Sequence, residues 1–187
     1  NKPEVRSFWD NAAYHTGNME AYFLTGNETY RAYSEAWAKH NEWKGAKSND
    51  RSQWKYSYGE SDEYVLFGDY QICFQTYADL YNLAPEDYKI KRAREVMEYQ
   101  MSTPQNDYWW RSDGLYMVMP VMTKLYKITH NSLYLDKLYE YITYSDQIMF
   151  DKEENLYYRD AKYVYPKHKS VNGKKDFWAR GDGWVLA

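Results

Sequence analysis

Several things are scarce in this chain, and each scarcity excludes something. There is one cysteine, Cys73, in 187 residues, so no internal disulfide can form, and a lone thiol says nothing about compartment. The four histidines, at 15, 40, 130 and 168, are scattered and show no metal-ligand spacing. No apolar run reaches the length of a membrane span. Lys and Arg (24) do not exceed Asp and Glu (27), and the net charge of −3 lacks the basic excess that nucleic acid would demand. No long strand is legible either. No leader is visible, although a chain whose residue 1 is Asn is compatible with one already removed.

Aromatics are what the chain has in excess. They make up 20% of it, with 23 Tyr and 8 Trp. Such side chains carry large buried area together with a polar handle, and they serve helix packing and ligand stacking equally well. The length is that of one domain. Three- and four-residue spacing predicts helices over about 4–24, 28–43, 63–81, 86–99, 114–128 (with Pro120 inside) and 133–150. Residues 45–59 read as a polar loop and 151–175 as an extended Lys- and Tyr-rich segment. Within that segment, 156–158 and 162–165 could pair as a short hairpin.

The joints between helices repeat. Tyr22 to Tyr30, Leu80 to Tyr88 and Tyr126 to Tyr134 each run from an aromatic or Leu through a short polar turn to a Tyr eight positions on. The first two joints start 58 residues apart and the last two 46, which fits stacked helix hairpins, either a solenoid or an α/α toroid. In a toroid, the loops at one end gather around a central cavity.

The chemical candidates sit at loop ends. Asp113 follows Trp109 and Trp110 at the head of an apolar helix. It is expected to cap that helix, and the indoles offer a sugar ring a stacking face; the plainer alternative is capping and packing alone. Asp69 lies near the start of the third helix, 44 residues before Asp113 at the start of the fifth. Hairpins in register would bring the two carboxylates to one end, where acid–base work on sugars needs a pair; otherwise they are two independent caps. His15 on the first helix is read as a packing histidine. In Phe177–Trp184 two glycines around Asp182 predict a tight turn, with a new helix from Trp184. Arg180 there could clamp a carboxylate bidentately or stack on Trp for packing. The motif lacks the glycine spacing and lysine of a phosphate loop.

Taken in order, four stretches carry a resemblance: Trp110–Pro120, Thr123–Thr129, Asp151–Asp160 and Asn172–Trp184. They resemble the unsaturated rhamnogalacturonyl hydrolases of glycoside hydrolase family 105, which are related to the unsaturated glucuronyl hydrolases of family 88. Tyr14–Asn18 and Asp69–Tyr77 fit the same pattern. The resemblance implies an all-α (α/α)6 barrel, a six-hairpin toroid of which residues 1–187 would supply about the N-terminal half. It implies removal of a Δ4,5-unsaturated uronic acid from lyase-generated pectin oligosaccharides by hydration of the C4=C5 bond. Asp113 would be the general acid/base and Asp69 would assist. Trp110, Trp178, Arg180 and Trp184 would bind substrate, and His15 and Asn18 would line the wall.

No metal or organic cofactor is implied. The partner is an unsaturated oligosaccharide rather than nucleic acid or membrane, and a homodimer is expected if the short chain stands alone. The compartment is left open between periplasm and cytoplasm of a bacterium. Two alternatives remain: a non-catalytic carbohydrate-binding or scaffold module, and another (α/α)6 glycosidase or epimerase acting on saturated sugars.

Overall fold

The computed structural model of the chain describes residues 2–187. Helices α1 (Trp9–Thr25) and α2 (Glu28–His40) form the first hairpin. A short helix, α3 (Gly68–Gln71), leads into α4 (Cys73–Leu83), which pairs with α5 (Tyr88–Ser102). Helices α6 (Asp113–Thr129) and α7 (Leu133–Met149) make the third hairpin, and α8 (Ala179–Leu186) opens the next unit. Helices α1, α4, α6 and α8 pack successively side by side as one layer. Helices α2, α5 and α7 form the other, so the chain describes an arc of a two-layered α/α toroid.

Two of the three repeated joints are built alike. Gly26 and His130 both adopt the left-handed conformation, and their amides close the preceding helix on Tyr22 O and Tyr126 O, each at 2.7 Å. Asn27 and Asn131 then accept the amides of Thr29 and Leu133 at 3.0 and 3.1 Å. Thr25 and Thr129 accept from those same Asn amides. The middle joint departs from this pattern because Ala84, before Pro85, is extended.

Four element boundaries differ from the periodicity, each for a visible reason. The first helix starts at Trp9 rather than near residue 4, because Asn41 Nδ2 donates to Val5 O at 2.9 Å and Ser7 Oγ donates to Lys44 O, pinning the lead-in to the far end of α2. The third starts at Gly68 rather than at 63, because Glu63 and Leu66 spend their backbone groups on Lys55. The hairpin forms between β1 (Phe150–Asp151) and β2 (Leu156–Tyr157), not between 156–158 and 162–165. Asp151 dictates this by accepting the amides of Glu153 and Glu154 and so tightening the reversal. Gly181 and Gly183 lie inside α8 rather than in a turn. Gly181 is required by close approach, since a Cβ there would come within 2.9 Å of Ser112 Oγ and 2.6 Å of the Trp178 ring.

Pro120 does not break α6. A helical proline leaves the carbonyl four residues back without its donor, here Tyr116 O. Gln75 on α4 replaces that donor, its Nε2 reaching Tyr116 O at 2.9 Å and Met117 O at 3.0 Å. We expect Gln75→Met, which keeps the volume and removes the amide, to lower unfolding stability by about 1–3 kcal/mol in a denaturant titration, the cost of an unsatisfied buried acceptor. A change below a few tenths would mean that the proline gap needs no bridge.

Around these contacts lies a core of large aromatics, with Trp37, Tyr77, Phe74, Trp109 and Tyr141 all fully buried. No helix among the described residues is long and apolar enough to cross a membrane.

Candidate active site

The layer of α1, α4, α6 and α8 decides where the site is. Trp9 is the first residue of α1, Asp69 the second of α3, Asp113 the first of α6 and Arg180 the second of α8. All four line one cleft of about 680 Å³. Arg111, Arg159, Lys162 and Arg180 also line this cleft, so it carries cationic groups for an anionic ligand beside its acidic ones.

Asp69 and Asp113 meet there, as the 44-residue spacing predicts. Both are buried, and a single guanidinium lies between them. Arg111 Nη2 stands 3.1 Å from Asp113 Oδ2 and 3.7 Å from Asp69 Oδ1, while its Nε donates to the same Asp113 oxygen at 3.2 Å. The two carboxylates are therefore not equivalent. Asp113 holds the cation through two nitrogens, whereas Asp69 has a longer, single contact. Burial is the largest influence on Asp69 and raises its pKa to about 7; Arg111 opposes this, and the charges of Asp113 and Glu60 reinforce it.

Asp113 does not cap α6, contrary to the sequence expectation. The position before it, Ser112, is itself helical (φ −58°, ψ −32°) and makes no side-chain cap. The amides of Gly114 and Leu115 bond to the carbonyls of Arg111 and Ser112 instead. The Asp113 carboxylate is thereby left to the cleft.

Of the other residues singled out in the sequence, Trp110, Trp178, Arg180 and Trp184 line the cleft with the acidic pair. Trp110 is fixed by its indole N–H donating to Tyr56 O at 2.9 Å, and its ring lies parallel to Phe67. Trp184 packs on Tyr116 with ring centroids 4.5 Å apart. Arg180 lies 4.6 Å over the Trp178 ring, a weak hold that leaves the guanidinium exposed.

His15 and Asn18 are elsewhere. His15 is buried between helices, stacked 4.1 Å from Trp37 and within 3.0 Å of Ser34 Oγ, and burial lowers its pKa to about 4. Asn18 is buried on the same helix, and neither residue lines the cleft. Packing, the plainer reading of His15, is what the geometry supports. No group of three His, Cys, Asp or Glu side chains positioned to hold a metal ion occurs among the described residues.

Sequence reasoning missed the floor and one wall. Arg111 went unmarked although it stands between two residues that were singled out. The wall comes from the segment after β2, where Arg159, Asp160, Lys162 and Tyr163 face the cleft. An isolated antiparallel bridge between Arg111 and Asp160, with Ser112 N donating to Arg159 O at 3.0 Å, ties that wall to the head of α6. A pairing across nearly fifty residues leaves no local trace.

A family model described as Glycosyl Hydrolase Family 88 matches residues 1–187. The chain is 29% identical over 191 aligned positions to the "Unsaturated 3S-rhamnoglycuronyl hydrolase" of Formosa agariphila, an alignment covering 95% of this chain and 48% of that protein. A solved structure titled "Polysaccharide Lyase BACCELL_00875" superposes with a TM-score of 0.96 at 78% identity, over 97% of this chain and 51% of its own. The family 105 glycoside hydrolase of C. acetobutylicum ATCC 824 superposes with a TM-score of 0.67 at 17% identity, over 99% of this chain and 52% of its own, a likeness of fold alone. The chain thus spans about half the length of the proteins it matches.

Proposed function

Because the chain belongs to glycosyl hydrolase family 88, we propose that its cleft contributes the acid–base pair of a hydrolase that removes a terminal Δ4,5-unsaturated uronic acid from lyase-generated pectin oligosaccharides. The observation that carries this is the pair itself, two buried carboxyl groups in unequal settings where four helix N-termini converge. Hydration of an enol ether needs a proton donor for C4 and an acceptor for the proton of the water that adds at C5, and two carboxyl groups in unequal settings supply one each.

Asp69, whose pKa is raised to about 7, is the proton holder in the free chain. Asp113, gripped by Arg111, is the carboxylate. This divides between two residues the work that the family resemblance assigns chiefly to Asp113. Protonation of C4 leaves an oxocarbenium centre at C5, and water attacks there and surrenders a proton to Asp113. The resulting hemiketal opens, and the hemiacetal left at C1 collapses to free the remaining sugar. Trp110 and Trp184 supply stacking faces, and Arg180 takes the uronate carboxylate. The relative from Formosa agariphila carries a name of this class.

We expect Arg180→Ala to raise KM by about 10–100-fold with kcat little changed, the loss of one charge-assisted contact. Steady-state kinetics would measure it, and an unchanged KM would remove Arg180 from the role.

A second reading rests on one observation, the 78%-identical structure titled a polysaccharide lyase. A lyase forms the C4=C5 bond instead of consuming it. It needs a base for the C5 proton and a cation against the uronate, chemistry for which Tyr163, Lys162 and Arg111 stand in the cleft.

A further inference from the structure

Among the described residues, Arg111 is the only one paired with both members of the acidic pair, and its contacts go beyond that ion pair. Its guanidinium lies 5.3 Å from the Phe67 ring centroid, 5.6 Å from Trp110 and 5.7 Å from Tyr58. Its backbone bridges to Asp160. Three rings, two from the connection between α2 and α3 and one from the neighbouring Trp110, and a backbone bridge restrict where the cation can sit, and the cation in turn restricts where Asp113 can point.

We propose that Arg111 is the positioning residue of the acidic pair: from its aromatic cage it fixes the Asp113 carboxylate through two nitrogens and, by siding with Asp113, leaves Asp69 as the carboxyl that keeps the proton. This rests on the acid–base reading of the cleft and adds to it the device that makes two adjacent aspartates different. A cation midway between two carboxylates would hold both ionised. A cation closer to one favours the ionised form of that one, while its weaker pull on the other is outweighed by burial and by the neighbour's charge. The unequal distances, 3.1 and 3.2 Å against 3.7 Å, are of the second kind. The other charges near the pair do not reproduce this bias. Glu60 acts on Asp69 only by repulsion. Arg159 is paired with Asp160 at 3.1 Å, Lys162 and Arg180 line the cleft without contacting either aspartate, and Asp176 accepts from His168.

The test uses the intact protein with Arg111→Gln and Arg111→Lys, and two readouts. The first is the titration of aspartate side-chain carboxyls by carbon NMR in the unliganded protein, with Asp69→Asn and Asp113→Asn identifying the two signals. The second is the pH profile of kcat on a lyase-generated unsaturated uronide. For Arg111→Gln we expect the Asp113 signal to titrate at a higher pH than in the wild type, the acid limb of kcat to move the same way, and kcat to fall about 100-fold.

Arg111→Lys should return the titration toward wild type, because the charge is back. It should restore kcat only in part, because an ammonium lacks the planar fork. Unmoved carboxyl titrations in Arg111→Gln, or full rescue of kcat by Lys, would overturn the proposal and leave Arg111 a packing residue or a mere point charge. Should the wild-type protein turn over no unsaturated uronide, the acid–base reading fails by itself, and the NMR titration still decides whether Arg111 sets the states of the pair.

Discussion

Replacing Asp113 by Asn is expected to reduce turnover by about 10³-fold or more while leaving the helical circular dichroism spectrum unchanged. The substitution keeps the size of the side chain and removes only the charge and the basic oxygen. Little of the fold depends on that charge, because the first-turn amides of α6 already bond to backbone carbonyls and do not need the carboxylate. The chemistry depends on it twice. Without a carboxylate at 113, water at C5 has no acceptor for its proton, and Arg111 loses the partner that draws it away from Asp69. Activity and circular dichroism measured on one sample check the result. Retained turnover with an intact spectrum would remove Asp113 from the mechanism.

Asp69→Asn should have two effects of opposite sign. Turnover should fall by about 10²–10³-fold, because an amide cannot donate the proton that a neutral carboxyl gives up. Stability should rise above neutral pH. A carboxyl raised from its ordinary range to about 7 binds its proton more tightly folded than unfolded. Between those two pKa values the folded state therefore holds more protons, and stability is lost as pH climbs through the interval.

An Asn has no such charge to bury. The variant should be more stable than wild type by on the order of 4 kcal/mol at pH 8, and by only about 0.5 kcal/mol at pH 4, where the folded Asp69 is protonated and the unfolded one is only about half ionised. Thermal unfolding at the two pH values reads this directly. The same titration shapes the wild-type pH profile: an acid that must be protonated makes kcat fall as pH rises past about 7. Equal stabilities at pH 8, with no alkaline fall in kcat, would place the proton elsewhere.

Legibility in the sequence followed the range of the forces involved. The α/α layering was readable because helix periodicity and the Thr-Gly-Asn and Thr-His-Asn joints are local, and those joints close their helices with the same bonds. The meeting of Asp69 with Asp113 was readable because stacked hairpins convert an interval of 44 residues into proximity.

What failed was set by contacts distant along the chain. Residues 63–67 carry helical spacing, yet Glu63 and Leu66 spend backbone groups on Lys55. The two glycines of α8 look like turn chemistry, but the requirement at Gly181 comes from Ser112, at the head of α6. Asp113 has the residue type and position of a cap, but the chain before it already turns helically, so the cap was not needed. Arg111 was overlooked because its importance lies in a distance to Asp69 and in rings, Tyr58 and Phe67, from a connection more than forty residues earlier, which spacing along α6 cannot express.

The most direct measurement follows the ultraviolet absorbance of the C4=C5 bond when the intact protein meets a lyase-generated unsaturated rhamnogalacturonan disaccharide, with a saturated uronate-containing oligosaccharide in parallel. Hydration at the Asp69–Asp113 pair predicts that absorbance falls with the unsaturated substrate, stays flat with the saturated one, and holds steady in Asp113→Asn. Absorbance that instead rises with the saturated substrate would contradict it and make the cleft that of a lyase.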